Sequence, residues 1–244
     1  ETIKAIEIGY SFRIKRIAFN LNMYHTQWEN KPVSRGMSYQ DADGNTFKIN
    51  INGMDALHKG AELDFAYNIL PNFTFEGLTS IGNWTWESAE SVVPFNENTQ
   101  QYSQDTVSFD AKGVHVGDAA QSQFAASLRY EIIKGLYLKT RGTYFARHYA
   151  DFNPFSLSGE FAQKDSWIMP SYLLLDIHSG YRINLENMRI DIRFSILNSL
   201  NTEYISDARN NDSYSTNSIN FDAQSAGVFF GMGRRFNISV KLSI

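Results

Sequence analysis

The sequence predicts an all-β chain, an antiparallel transmembrane β-barrel present in part as about nine strands. Three observations predict it. Nine stretches alternate apolar and polar residues with the period of two that sends successive side chains to opposite faces of a strand. The connections between them alternate short and long. The polar faces repeat charges of both signs from strand to strand. Any one such strand could also lie half over the core of a soluble sandwich. The second and third observations favour a barrel, whose periplasmic turns are short, extracellular loops long and interior polar.

Composition agrees by exclusion. At 244 residues the chain can bury a sizeable core. A net charge of -4 gives no basic field for nucleic acid, so none is expected as a partner. With no cysteine there is no disulfide framework, thiolate metal site or cysteine nucleophile. No apolar run approaches the roughly 20 residues of a transmembrane helix. The mean hydropathy of -0.35 does not argue against strands in lipid, because alternating strands average to a mildly polar score. The chain starts at Glu1 without a signal peptide and close to an alternating strand, so a processed or partial piece is expected.

The strands follow in order. Lys4 to Phe12 sets Ile6, Ile8, Tyr10 and Phe12 against Glu7, Gly9 and Ser11. A tight turn at Ile14-Lys15 leads into Arg16 to Trp28, where Ile17, Phe19, Leu21 and Met23 alternate with Ala18, Asn20, Asn22 and Tyr24. Glu29 to about Asp55 is a polar excursion containing Pro32 and the turn former Asp43-Gly44. His58 to Ile69 opposes Leu63, Phe65, Tyr67 and Ile69 to Glu62 and Asp64, and Pro71-Asn72 turns into Phe73 to Trp86. There the alternation degrades at Gly77-Leu78-Thr79, and Glu87 to Ala119 is expected to be a long polar loop. Gln121 to Ile132 and Leu136 to Tyr149 flank a turn at Lys134-Gly135, and a loop runs from Ala150 to Pro170. Tyr172 to Arg182 and Met188 to Leu197 flank Asn184 to Asn187, and a further loop covers Asn198 to Gln224. The last strand is expected over Ala226 to Ile244, cleanest from Phe236 onward. Aromatic residues at short-turn ends (Tyr10, Phe12, Phe73, Tyr130, Tyr181 and Phe236) would form an interfacial girdle.

One polar face collects Glu7, Glu62, Asp64, Arg129, Glu131, Lys139, Arg141, Asp176, Arg189, Asp191 and Arg193, with Lys241 on the closing strand. Mixed charges repeated over adjacent strands suit a wet lumen holding something polar. The same residues would also suit the solvated face of a sandwich.

The stretches Ala5 to Phe12, Asn52 to Phe65, Ile196 to Tyr204 and the closing strand from Gly233 resemble the C-terminal part of the β-barrel of TonB-dependent outer-membrane receptors. Each is a loose pattern, but together they span almost the whole chain. The resemblance implies a 22-stranded barrel in the outer membrane of a Gram-negative bacterium, with an N-terminal plug domain inside. Residues 1–244 would then be the C-terminal portion of the barrel, with the plug upstream. Ending in Ile244 rather than an aromatic residue is a departure from the family pattern.

The function implied is active uptake of a scarce nutrient, whether metal chelate, oligosaccharide or peptide, driven by TonB-derived energy. Expected partners are outer-membrane lipids, the chain's own plug domain, the remaining barrel strands and the TonB complex. The resemblance leaves room for a surface lipoprotein. The alternatives are a passive porin or structural outer-membrane barrel, and a secreted carbohydrate-binding β-sandwich. No enzyme activity, cofactor or metal is expected.

Ligand contacts are expected from loop aromatics, namely Tyr39, Trp84, Trp86, Tyr149, Phe152, Phe155 and Trp167, since aromatic rings stack on sugars and planar ligands while tolerating water at their edges. The competing reading is that these rings pack the loops. His58, Asp64, Asp176 and His178 are residue types suited to metal or acid/base work, and Asp176 and His178 share a strand face at a spacing compatible with metal, but such a pair is more often a lumen hydrogen-bonding pair. Asp41 to Asn45 has part of a calcium-loop pattern without the distal glutamate, and a turn is the better reading.

Overall fold

The computed structural model describes residues 1–31, 37–40, 46–49, 53–96, 99–104, 106–117, 119–210 and 220–243, with only the backbone described for 37–40 and 46–49. Nine long strands make one antiparallel sheet: β1 (Thr2–Ile14), β2 (Ile17–Lys31), β3 (Met54–Leu70), β4 (Phe73–Trp86), β5 (Ala120–Ile133), β6 (Leu136–His148), β7 (Tyr172–Asn184), β8 (Arg189–Leu197) and β9 (Arg235–Ser243). Each pairs with its neighbours in sequence, and β1 does not pair with β9, so the sheet is an open portion of a barrel wall. Several strands outrun the alternating stretches seen in the sequence, with β3 reaching 17 residues.

Register decides which side chains share a face, because directly opposed residues point the same way. Ile8, Met23, Ala61 and Ile81 form one apolar row across β1 to β4. Glu76, Ser127, Arg141 and Asp176 form a polar row across β4 to β7. Extended from strand to strand, this register puts all eleven candidate lumen residues on one face, with Lys241 opposite Asp191. The other face is almost wholly apolar between the short turns and the long-loop ends, as in Ile17, Phe19, Leu21 and Met23 of β2 and Phe236, Ile238, Val240 and Leu242 of β9. Eight residues at ~3.3 Å each, tilted by roughly 40°, give an apolar band roughly 20 Å tall, close to the ~25 Å of an outer-membrane barrel. These apolar side chains are exposed, Ile238 at 72%. In water such a face would drive association. In lipid it is solvated.

Three expectations are corrected. The segments expected as loops hold short strands at Ala89–Val92, Val107–Asp110 and Ile205–Asn210, together with three-residue 3₁₀ turns. The last strand is not continuous from Ala226, because residues 231–234 interrupt it before β9. Phe236 is opposite Ile196, at the end of β8 from which the long connection leaves, so it belongs to the long-loop side rather than the short-turn girdle. By contrast, the degraded stretch of β4 stays in unbroken register with β5, Leu78 opposite Ala125.

The buried core lies in the long-loop layer rather than the wall. Met54, Ala56, Trp86, Phe109, Ala111, Val114, Val116, Phe152, Leu157 and Phe221 cluster there, drawn from strand ends and three separate connections. Backbone bonds stitch the layer to the wall: Trp86 N–H donates to Val114 O at 2.8 Å and Val116 N–H to Trp84 O at 2.9 Å. The 114–116 segment thus takes over as partner to β4 above Ile81, while the Gln121 side chain accepts from Trp84 N–H (2.9 Å) and donates to Trp84 O (3.0 Å).

Candidate functional site

Three rows on the polar face converge at the long-loop end of β2, β3 and β4. Tyr24 faces Gly60 and Gly82, Thr26 faces His58 and Trp84, and Trp28 faces Ala56 and Trp86. The two glycines make room for the Tyr24 ring. A Cβ on Gly60 would come within 2.5 Å of the Tyr24 hydroxyl and 2.6 Å of Ile81 O, so any other residue would push the ring or the backbone aside. The seated Tyr24 hydroxyl accepts from Trp84 Nε1 at 2.9 Å. His58 stacks on Trp84, with ring centroids 5.3 Å apart, and tilts against Trp28 at 6.0 Å. The Lys31 ammonium lies over both Trp28 (5.5 Å) and Trp86 (5.3 Å). The result is an aromatic wall carrying a cation at the mouth of the lumen face.

The expected ligand aromatics separate. Trp84 belongs to this wall, and Trp86 borders it from within the loop core. Phe152 is in that core, and Phe155 packs edge-on against Phe109 at 5.3 Å. Tyr149 is buried and stacked on His115 at 4.1 Å, where His115 Nδ1 meets Asp165 Oδ2 at 2.6 Å. Trp167 packs against a second cluster of Ala150, Met169 and Ala208. Tyr39 lies on the Met37–Gln40 strand, and its side chain is outside the described residues. The sequence reading missed Tyr24, Trp28 and Lys31, and weighed His58 only for metal or acid/base work, not as a ligand contact. Facing would have found Tyr24, Trp28 and His58, since they share the alternation face of Trp84.

Toward the short turns, the polar face is cross-linked by charge. Lys139 Nζ meets Glu76 Oε2 at 2.5 Å, and Ser127 Oγ donates to the same oxygen at 2.8 Å. Asp191 is held by Arg182 (2.7 Å) and Arg189 (3.2 Å), and the Arg129 guanidinium sits 3.6 Å from the centroid of the Tyr137 ring. Glu76 and Arg182 were absent from the expected set. A cavity of about 340 Å³ opens on this face, lined by Arg13, Asp64, Glu76, Lys139 and Arg141 among others.

Asp176 and His178 do not converge. Asp176 accepts from Asn198 N–H at 2.9 Å, and the His178 ring meets Ser195 Oγ at 2.9 Å. Among the described residues no three His, Cys, Asp or Glu side chains gather as a metal site. Residues 41–45, the partial calcium-loop pattern, lie outside the described residues.

In the loop layer, Asp110 joins two connections. Its carboxylate accepts from Lys112 N–H (3.0 Å) and Gln163 Nε2 (2.7 Å), and its carbonyl from Gln163 N–H (2.8 Å). Those bonds, the Lys112 amide first, hold the carboxyl below its ordinary pKa. Burial, with Asp55 nearby, pushes that of Glu90 up.

An open antiparallel wall with a lipid-type outer face, a charged inner face and long connections at one end defines an outer-membrane β-barrel protein. A family model described as TonB dependent receptor-like, beta-barrel matches residues 1–201. The chain belongs to that family. No curated protein matches it by sequence. Solved structures with the same fold include the siderophore receptor PiuA from Acinetobacter baumannii (13% identity, TM-score 0.57, 98% of this chain and 28% of that one). The ferric yersiniabactin uptake receptor FyuA from Yersinia pestis is similar (15%, 0.57, 98% and 29%). So is the ferric citrate transporter FecA (12%, 0.65, 99% and 31%). The chain therefore spans less than a third of the length of these structures.

Proposed function

We propose that this chain is the C-terminal barrel portion of an outer-membrane active transporter, which takes up a scarce nutrient with TonB-derived energy. The plug domain and the remaining strands would come from the rest of the same protein. The carrying observation is the position of the aromatic wall. Tyr24, His58 and Trp84 line the lumen face at the end where the long connections gather, so a ligand arriving from outside meets them before it meets the charged rows. Stacked rings beside the Lys31 ammonium suit a ligand with planar or ring surfaces and negative charge, such as a metal chelate. Oligosaccharides and peptides are the alternative cargo classes. The neighbours named for a siderophore, ferric yersiniabactin and ferric citrate support the chelate.

The charged inner rows then serve the plug. Charge-assisted hydrogen bonds of the Glu76–Lys139 and Arg182–Asp191 kind can be exchanged for bonds to a plug surface and remade when it moves.

The test is uptake of radiolabelled iron from ferric citrate and from ferric catecholates, by cells that express the whole receptor and lack other ferric-chelate receptors. Uptake should require the host's TonB and fall about tenfold or more in Trp84→Ala. Uptake of small solutes that persists without TonB would instead identify a passive porin.

A further inference from the structure

We propose that Lys59 and His25 form the headgroup contact of a phosphate-bearing lipid of the outer leaflet, seated on the outward face where the apolar band ends. The observation is a change of chemistry within one step of the ladder. The outward row Ile8–Met23–Ala61–Ile81 is apolar throughout, whereas the next row toward the long loops reads Ile6–His25–Lys59–Asn83. His25 and Lys59 are directly opposed across β2 and β3, which brings their Cβ atoms to about 5 Å. Both are exposed, and neither has an ion-pair or hydrogen-bond partner among the described residues. Lys4, one row further on, is already taken by Glu29. Beside Lys59, Asn83 is already engaged: its side-chain Oδ1 accepts from Arg147 Nη2 at 3.2 Å and meets His115 Nε2 at 3.4 Å.

A lysine at the hydrocarbon edge lays its stem along apolar surface and sends its ammonium outward. Among the described residues nothing neutralises that ammonium, and what covers the face can supply the complementary charge. Below the row the face is continuous with the lipid-facing band, and Ile8 and Met23, with Ile6 at the end of the row itself, offer a floor for an acyl chain. The three ammonium donors of Lys59 and an imidazole N–H of His25 suit a terminal phosphate, whose several oxygens can accept at once. The long-loop end is the extracellular end of such barrels, so the leaflet is the outer one. The site rests on the band facing lipid and is independent of the cargo.

The whole receptor, purified in detergent, is to be examined by native mass spectrometry. The probes are lipid A carrying its phosphates, lipid A stripped of them, and phosphatidylglycerol. Phosphorylated lipid A should be retained by the unaltered protein, and retention should fall about tenfold in the Lys59→Gln/His25→Gln double variant. Lys134→Gln, at a short turn, should retain it as before. Folding of each variant is checked by the migration of unheated protein on a detergent gel; both exposed positions tolerate glutamine. Equal retention by the double variant, or equal binding of the stripped lipid, would overturn the site, and equal binding of phosphatidylglycerol would overturn its assignment to an outer-leaflet lipid. If no probe at all is held by any variant, the site is again overturned, whereas TonB-dependent uptake is measured separately and stands or falls by itself.

Discussion

The wall and the loop layer of this chain are folded against different solvents, and their apolar residues show it. In the wall, Ile238 is 72% exposed and Ile6 69%, while in the loop layer Val114 and Leu157 are 0% exposed. A wall strand gains little by hiding its outer side chains from lipid. Its stability comes from ladder bonds that leave no backbone group unpaired within the hydrocarbon. The loop layer has water above it, so it gathers Phe109, Leu157, Phe221 and Trp86 from distant connections into a core of the ordinary soluble kind. One chain thus holds two stabilities of different origin, joined where β4 exchanges β5 for the 114–116 segment. Substitutions that strike one region should spare the other.

The largest effect is expected inside the loop core. Leu157→Ala removes a fully buried side chain and should cost the loop layer about 2–5 kcal/mol. Limited proteolysis should then cut within residues 87–119 and 150–170, while the unheated gel migration of the folded barrel stays unchanged. Loss of that migration would mean that the two regions fold as one unit. The wall is struck by Val240→Arg, which puts a charge on the lipid face and should cost about 2–4 kcal/mol near the middle of the bilayer. Ser239→Asp, one residue earlier, turns to the opposite face beside Arg193 and should leave assembly in lipid vesicles nearly intact. Equal loss of assembly from both would refute the facing.

The same contrast explains what could be read from the sequence. Lipid imposes one rule on every strand, so the alternation of Ile17, Phe19, Leu21 and Met23 recurs in Phe236, Ile238, Val240 and Leu242, and both the sheet and its two faces were legible. Glu76 was lost because Gly77-Leu78-Thr79 hides the period beside it, although register keeps it in the polar row. Phe236 was put at the wrong end although Arg234, on the apolar phase of Phe236 and Ile238, marks the break at residues 231–234 that makes Phe236 the start of β9 beside the long connection. The loop core obeys no period. Trp86, Phe109, Leu157 and Phe221 meet only through tertiary folding, so nothing local marks Phe152 as a core side chain rather than a ligand contact. Tyr24 and His58 were legible as wall residues, since they alternate on the face of Trp84 although they lie in strands and not in loops.

A smaller effect is expected from the charged inner face. Lys139→Ala breaks the pair with Glu76, and since both groups are partly exposed the cost should be about 1 kcal/mol or less, weaker still at high salt. Urea unfolding of the whole barrel in detergent, with and without salt, measures it. A much larger loss would mean that the pair is buried by its plug.

The smallest effect separates the regions by pH. The Asp110 carboxyl has a lower pKa in the folded loop layer than in the unfolded chain, because Lys112 N–H and Gln163 Nε2 donate to its charged form. The unfolded chain therefore binds the proton first as pH falls. The stability these bonds supply is complete above the ordinary carboxylate pKa of about 3.9 and drains away as pH drops through the lower folded value. Asp110 is open to water, so the loss should be slight. It should appear as easier cleavage by an acid protease between residues 87 and 119 while the wall keeps its gel migration. Asp110→Asn, which retains one acceptor oxygen but cannot titrate, should remove that pH dependence and lower loop protection a little at neutral pH. An unchanged acid profile in the variant would move the sensitivity to another group, and that group would not be the partly buried Glu90: burial raises its pKa, so its protonation on acidification stabilises the folded layer.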